Sequence, residues 1–262
     1  MTLPQFRSEP DAALATARRA EEAGLDGVFV FDHLWPLGSP ERPALHSYTL
    51  LGALAAETSS IALGTLVARV GLVPDAVLVH SFETLQRMVG ERLIAAVGTG
   101  DSGNKPENLA YGVPFAPVAD RLDRLRACLT ELRLRGITAW AGGNSPAVRR
   151  VASDSADAWN GWGRSADVFL DDASTVDARC DVTWGGQVLV GRDARHAAEL
   201  LERHGTRDGL VHGTVDDLAV HLRALALGGT TWSVCAPIDI AADVTAVDRV
   251  VAARDAARRA LA

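Results

Sequence analysis

Residues 27–36 read GVFVFDHLWP, an apolar run from Gly27 to Phe31 that ends in Asp32, His33 and Trp35. A strand buried on both faces reads as such a run, because neither side needs a polar residue. In α/β proteins, groups that do chemistry gather just past the C-terminal ends of such strands. The stretch therefore predicts a central strand delivering an imidazole and a carboxylate to a site. Upstream, Ala13, Leu14, Ala17, Ala20 and Ala23 recur at helical spacing, with Arg18, Arg19, Glu21 and Glu22 on the other side and Gly24 as terminator. Before that helix, Thr2 to Arg7 holds only Leu3 and Phe6 around Pro4, which is short for a first strand.

Downstream the alternation continues. Helices are predicted over Leu50–Thr58, Ala76–Val89, Val118–Leu134, Pro146–Ser153, Asp167–Val176, Ala194–Arg203, Thr214–Leu227 and Val244–Ala262. Strands are predicted over Ile61–Val67, Arg92–Val97, Ile137–Trp140, Ala156–Asn160, Thr183–Val190 and Thr230–Cys235, and a long polar loop from Gly98 to Pro117. About eight strands, each followed by a helix, predict a parallel α/β sheet with right-handed crossovers, either a closed (β/α)8 TIM barrel or an open doubly wound sheet. No GxGxxG follows the first strand and no GxxxxGK[ST] occurs, so the usual nucleotide fingerprints of open sheets are missing and the barrel is favoured. At 262 residues the chain suits one barrel domain, 1–262.

The charge balance is acidic, 26 Lys and Arg against 33 Asp and Glu, which argues against a nucleic-acid partner. Cys128, Cys180 and Cys235 are scattered and odd in number, so neither a disulfide framework nor a metal site is expected, and a reducing cytoplasm fits. No run reaches the roughly 18 to 20 apolar residues of a membrane span, and no charged N-region with an apolar core opens the chain, so neither a span nor secretion is expected.

Four strand ends carry polar or glycine-rich groups: Asp32-His33, Gly64 to Val67, Gly98-Thr99-Gly100-Asp101, and Gly142 to Pro146. Singly each has a plain structural reading. A strand-end histidine serves as a hydrogen-bonder as readily as a base, glycines after strands punctuate turns, and Asp101 can cap its own loop. Ser145 before Pro146 reads as a helix N-cap, which also presents backbone N–H groups to a phosphate.

Together and in this order they resemble the bacterial luciferase-like monooxygenase superfamily, and within it the oxidoreductases that use the deazaflavin coenzyme F420. The resemblance runs through ARRAEEAGLDGVFVFDHLWP, ALAAETSSIALGTLV, RLIAAVGTGDSGNKPENLAYG, AGGNSP, ADAWN and GTVDDLAVHLRALALGG. It implies that His33 and Asp101 are catalytic, as base or orienting group and as proton donor. Asp101 stands where such enzymes often have the longer glutamate. It further implies cofactor contacts from Asp32, Thr65, Leu66, Val67, Gly98, Gly142, Gly143, Asn144 and Ser145, a non-proline cis bond between Leu66 and Val67 behind the ring, and a phosphate cradle at Gly142 to Ser145. Glu107 and Gly112 match the loop after the fourth strand, with Glu107 read as structural. Trp35, Trp140 and Gln5 are pocket candidates, and Arg69 a solvated cation or a contact for an anionic tail.

The reading that follows is a deazaflavin-dependent hydride transfer to or from a small organic substrate. The alternatives are an FMN-dependent monooxygenase fed by a separate reductase, and a non-catalytic flavin-binding protein. The resemblance also implies a homodimer. Family members commonly exceed 300 residues; here the first strand is short and the substrate-side segment between Leu134 and Ile137 is reduced.

Overall fold

The computed structural model describes residues 1–261. After α1 (Asp11–Glu22), the opening strand forms as β1 (Gly27–Val30), with all four residues buried. The chain continues through α2 (Ser47–Glu57), β2 (Ala62–Thr65), β3 (Ala68–Arg69), α3 (Asp75–Val89) and β4 (Leu93–Gly98). Next come α4 (Lys105–Ala110), α5 (Val118–Leu134), β5 (Thr138–Gly142), α6 (Pro146–Ser155) and β6 (Ala158–Trp162). The last part comprises α7 (Ala166–Ala173), β7 (Asp181–Gly191), α8 (Ala194–His204), β8 (Val211–Thr214), α9 (Val215–Leu227), β9 (Trp232–Pro237) and α10 (Ala246–Arg259).

All strand pairings are parallel, in the order β1-β2-β4-β5-β6-β7, with β9 against β7. The first three residues close the ring. Thr2 N–H donates to the Cys235 carbonyl on β9 at 2.9 Å, and Phe29 N–H on β1 donates to Met1 at 2.8 Å. The result is a TIM barrel whose first stave is as short as its sequence suggests. Two strands lie off the ring: β3 extends β4 past the end of β2, and β8 pairs with Val188–Gly191 at the far end of the long β7.

Apolar residues divide between two layers. Phe29, Leu66, Ile94, Ala96, Trp140, Ala158 and Val234 fill the barrel interior, where Phe29 stacks on Trp140 at 5.5 Å between ring centroids. A larger cluster, including Val28, Val30, Ala95, Val97 and the inner faces of the helices, seals the outside of the staves. Adjacent residues of one strand enter different layers, which is why the strands read as unbroken apolar runs.

Three expectations need correction. Ile61–Val67 is not one strand: β2 stops at Thr65, the Leu66–Val67 peptide is cis, and pairing resumes at Ala68 beside β4 rather than β1. The polar loop before Pro117 holds a 3-10 turn (Ser102–Asn104) and α4, because Asp101 caps the turn and Pro106 suits a helix's first turn. The half-exposed β8 has too little apolar pattern to announce itself. Among the described residues no helix is long and apolar enough to cross a membrane.

Candidate active site

Past β1 the chain leaves the sheet at Phe31, whose N–H and C=O are both held by the fully buried Gln5 side chain at 2.7 Å. Gln5 is thus part of the frame that aims the next residues, not a pocket wall. Asp32 follows, 4% exposed. Its Oδ1 accepts from Ser47 Oγ at 2.9 Å and its Oδ2 from the Arg69 backbone N–H at 2.8 Å. Both carboxylate oxygens are occupied within the protein, so the side chain ties α2 and β3 to the end of β1.

His33 emerges beyond it with 19% of its side chain exposed, and its Nδ1 lies 3.2 Å from Oε2 of Glu107. Glu107, in α4, has no exposed surface. It also accepts from the backbone N–H of Leu34 and from that of Trp35 at 3.3 Å, and it forms an ion pair with the Arg69 guanidinium at 2.8 Å. Burial opposes its ionisation, but the His33 hydrogen bond, the Arg69 charge and the Leu34 amide outweigh burial and hold the carboxyl below its ordinary range. Arg69 is itself buried, with further hydrogen bonds to the Asp32 carbonyl and Asn108 Oδ1, both at 3.0 Å. It is neither solvated nor free for an anionic tail.

This arrangement decides the protonation pattern of the imidazole. An ionised carboxylate only accepts, so the nitrogen facing Glu107 carries the proton. In the neutral ring, Nε2 is then the basic nitrogen, oriented by a buried anion.

Around the next strand ends, the predicted residues divide. Thr65 is fully buried and its hydroxyl donates to the Ala96 carbonyl at 2.6 Å; Leu66 lies in the barrel interior. Both are structural. Val67 is partly exposed and seats its side chain on two glycines: a Cβ on Gly142 would lie 2.4 Å from Val67 Cγ1, and one on Gly98 2.6 Å from Cγ2. Gly98 and Gly142 pair across β4 and β5. They make room for Val67.

Asp101 stays apart. It is exposed, and its Oδ1 accepts from Gly103 N–H at 2.8 Å while its own N–H donates to Asn104 Oδ1. The side chain caps the turn after β4, the plain reading of that residue, and has no bond to His33 or Glu107.

The loop after β5 is braced by hydrogen bonds to β6. Asn144 clamps both backbone groups of Trp162, donating at 2.8 Å and accepting at 2.9 Å, and the Gly143 carbonyl accepts from Trp159 Nε1 at 2.8 Å. Ser145 caps α6 through Val148 N–H, with Pro146 at the first helical position. Ser145 and Pro146 are exposed, so a ten-residue helix opens its N-terminal turn to solvent at this rim of the barrel. Trp140 belongs to the interior, and Trp35 packs on Tyr111 at 5.5 Å. Among the described residues no cluster of three or more His, Cys, Asp or Glu is placed to hold a metal.

A sequence profile described as luciferase-like monooxygenase matches residues 2–134, half of the chain and all of the His33–Glu107–Arg69 network. The chain belongs to the luciferase-like monooxygenase family. Among curated relatives, an F420-dependent glucose-6-phosphate dehydrogenase of Kineococcus radiotolerans is 37% identical over 111 residues, 42% of this chain and 32% of that protein. The match thus spans about a third of the relative's length. Two solved structures share the fold. The coenzyme F420-dependent tetrahydromethanopterin reductase of Methanopyrus kandleri superposes with a TM-score of 0.78 at 14% identity, covering 96% of both chains. An F420-dependent secondary alcohol dehydrogenase in complex with an F420-acetone adduct gives 0.75 at 16% identity, covering 95% of this chain and 96% of that one. At such identities the likeness establishes the luciferase-like barrel and nothing finer.

Glu107 and Arg69 are the members of this site that sequence reasoning set aside. PENLAYG contains a glutamate of no distinctive spacing, and only the fold brings it to His33.

Proposed function

We propose that the protein is a coenzyme F420-dependent oxidoreductase that interconverts a small alcohol and its carbonyl compound by hydride transfer. The observation that carries this reading is His33: half-buried at a strand end, with Nδ1 locked to an ionised, buried Glu107 and Nε2 free to act. Support for the cofactor comes from the F420-dependent relative and from the donor set at the rim. The capped, solvent-open N-terminus of α6 suits the phosphate of a deazaflavin, with Ser145 and the loop of Gly143 and Asn144 as its holders. The barrel mouth between that loop and His33, where Val67 and Trp162 remain partly exposed, offers an apolar face for the ring.

When bound, the deazaflavin supplies a hydride acceptor or donor. Everything else falls to the chain. As an alcohol's carbon loses hydride, its hydroxyl must lose a proton, and His33 Nε2 accepts it; in the reverse direction the imidazolium returns the proton to the carbonyl oxygen. Glu107 faces the imidazolium and stabilises its charge. Arg69 offsets the carboxylate when the ring is neutral. Asp101, capping its own turn at the surface, has no part in this scheme.

Binding separates the cofactors directly. Titrating the purified protein with F420 and with FMN while following tryptophan fluorescence is expected to show saturable quenching by F420. Tight FMN binding without F420 binding would overturn the assignment. That outcome, together with oxygen-dependent turnover of reduced flavin, would favour an FMN monooxygenase served by a separate reductase; the family's description names a monooxygenase. We further place the chain, as one barrel domain, in the cytoplasm and in a homodimer. Three free buried cysteines suit a reducing compartment, and the exposed Val77 and Met88 on α3 give a second copy apolar surface to cover.

A further inference from the structure

Glu107 reaches His33 from a strap, residues 101–115, that lies between β4 and α5. Among the described residues no backbone–backbone hydrogen bond ties this strap to another segment. Those it makes stay within it, as from Val113 N–H to the Asn108 carbonyl at 2.9 Å. It is therefore an Ω-type loop held in place by side chains. In its middle the ties are those of the site: Glu107 to His33, Leu34, Trp35 and Arg69, Asn108 to Arg69, and Tyr111 against the Trp35 ring.

One residue grips both ends. Arg121, early in α5, donates from Nη1 to the carbonyls of Thr99 at 2.7 Å and Gly100 at 2.6 Å, and from Nε to that of Ala116 at 3.0 Å. Its guanidinium carbon lies 4.2 Å from the centroid of the Phe115 ring. A planar fork thus joins the main chain before the strap to the main chain after it, and an ammonium, a single point donor, does not span both. Closing a loop at its ends removes conformational freedom from everything between them. Glu107 depends on that order, because a buried carboxylate is tolerated only where its partners are all in reach.

We propose that Arg121 is a positioning residue: by closing both ends of the strap it sets Glu107 against His33, without a hydrogen bond to either. Its consequence for turnover rests on the proposed base role of His33, but the assignment itself is read in the protein without cofactor or substrate. The His33 tautomer of the parent protein tests the base role; its change on substitution of Arg121 tests this one.

Two readouts on the full-length protein serve: nitrogen-15 NMR of the His33 ring in its neutral form, and amide hydrogen exchange. Arg121→Gln is expected to speed exchange at Tyr111, Gly112 and Val113, whose N–H groups bond within the strap, at least about tenfold, the factor one hydrogen bond to a charged group supplies. It is also expected to turn a predominant Nδ1–H tautomer of His33 into a mixture. Arg121→Lys is expected to fall between the parent and Arg121→Gln on both readouts, and it carries the test if Arg121→Gln does not fold. Arg133→Gln breaks a 2.8 Å ion pair with Asp157 near the other end of α5 and is expected to change neither readout. Parent-like exchange in the Arg121 variants would overturn the proposal, as would equal changes in Arg133→Gln. So would a parent-like His33 tautomer in a variant whose strap exchanges faster, which would leave Glu107 held by Arg69 and the Leu34 and Trp35 amides alone.

Discussion

Glu107 Oε2 lies 3.2 Å from Nδ1 of His33, although the two residues are 74 positions apart in the chain. The carboxylate cannot donate, so the contact assigns the Nδ1 proton and with it the chemistry left to Nε2. Nitrogen-15 NMR of the apo protein with the ring neutral is expected to show His33 protonated at Nδ1 and bare at Nε2. A predominant Nε2–H tautomer would remove the general-base reading.

Glu107→Gln keeps the shape and removes the charge. It leaves Arg69 buried without its carboxylate and lets an amide N–H face the imidazole. Breaking a buried ion pair from one side costs about 3 to 5 kcal/mol, so denaturant unfolding should show a loss of that order. Turnover of an F420-linked alcohol substrate is expected to fall at least about 100-fold, mainly in kcat, as a lost base costs. The same variant should shift the His33 tautomer in the NMR spectrum, an effect that destabilisation alone would not produce.

Asp101→Asn separates a cap from a proton donor. Asparagine caps as well as aspartate, so stability should change by less than about 0.5 kcal/mol. Activity is expected to stay within about twofold of the parent protein, because no proton-transfer step is assigned to Asp101. A loss of about 100-fold with the fold intact would return the proton-donor role to this residue.

Val67 and the two glycines beneath it form one packing unit. Gly142→Ala would place a methyl 2.4 Å from Val67 Cγ1, a separation that forces Val67 or the strand to move. Overpacking of this kind costs about 1 to 3 kcal/mol. The double variant with Val67→Ala should recover part of the loss, giving a coupling energy of opposite sign to the single effects. Strict additivity would show that the clash is relieved elsewhere.

Glu21 provides the clearest acid-dependent contact. It lies in the last turn of α1 and accepts from the N–H groups of Ser59, Ser60 and Ile61 at 2.9, 2.6 and 3.0 Å. Its modest burial raises the pKa, but the amides of Ser60, Ile61 and Ser59 outweigh this and lower it from 4.5 to about 2. A depressed folded-state value adds stability above about pH 4.5, and that stability is lost as pH falls toward about 2. Unfolding free energy measured against pH should decline through this window in the parent protein and more gently in Glu21→Gln. Identical slopes would show that the carboxylate contributes nothing.

The sequence by itself determined the layered plan. Unbroken apolar strands such as Gly27–Phe31 and helices with one apolar face leave a parallel sheet sealed on both sides as the consistent solution, and hydrophobic periodicity is a local property legible in a single chain. The Ser145 cap before Pro146 was legible for the same reason, since it involves residues three apart. Tertiary structure alone decided which polar groups meet. Asp32 turned inward to Ser47 and Arg69, Asp101 kept to its own turn, and Glu107 crossed from α4 to His33. No local pattern encodes these choices, because a buried charge is tolerated only where partners from distant segments complete its hydrogen bonds, and those partners exist only once the barrel has closed.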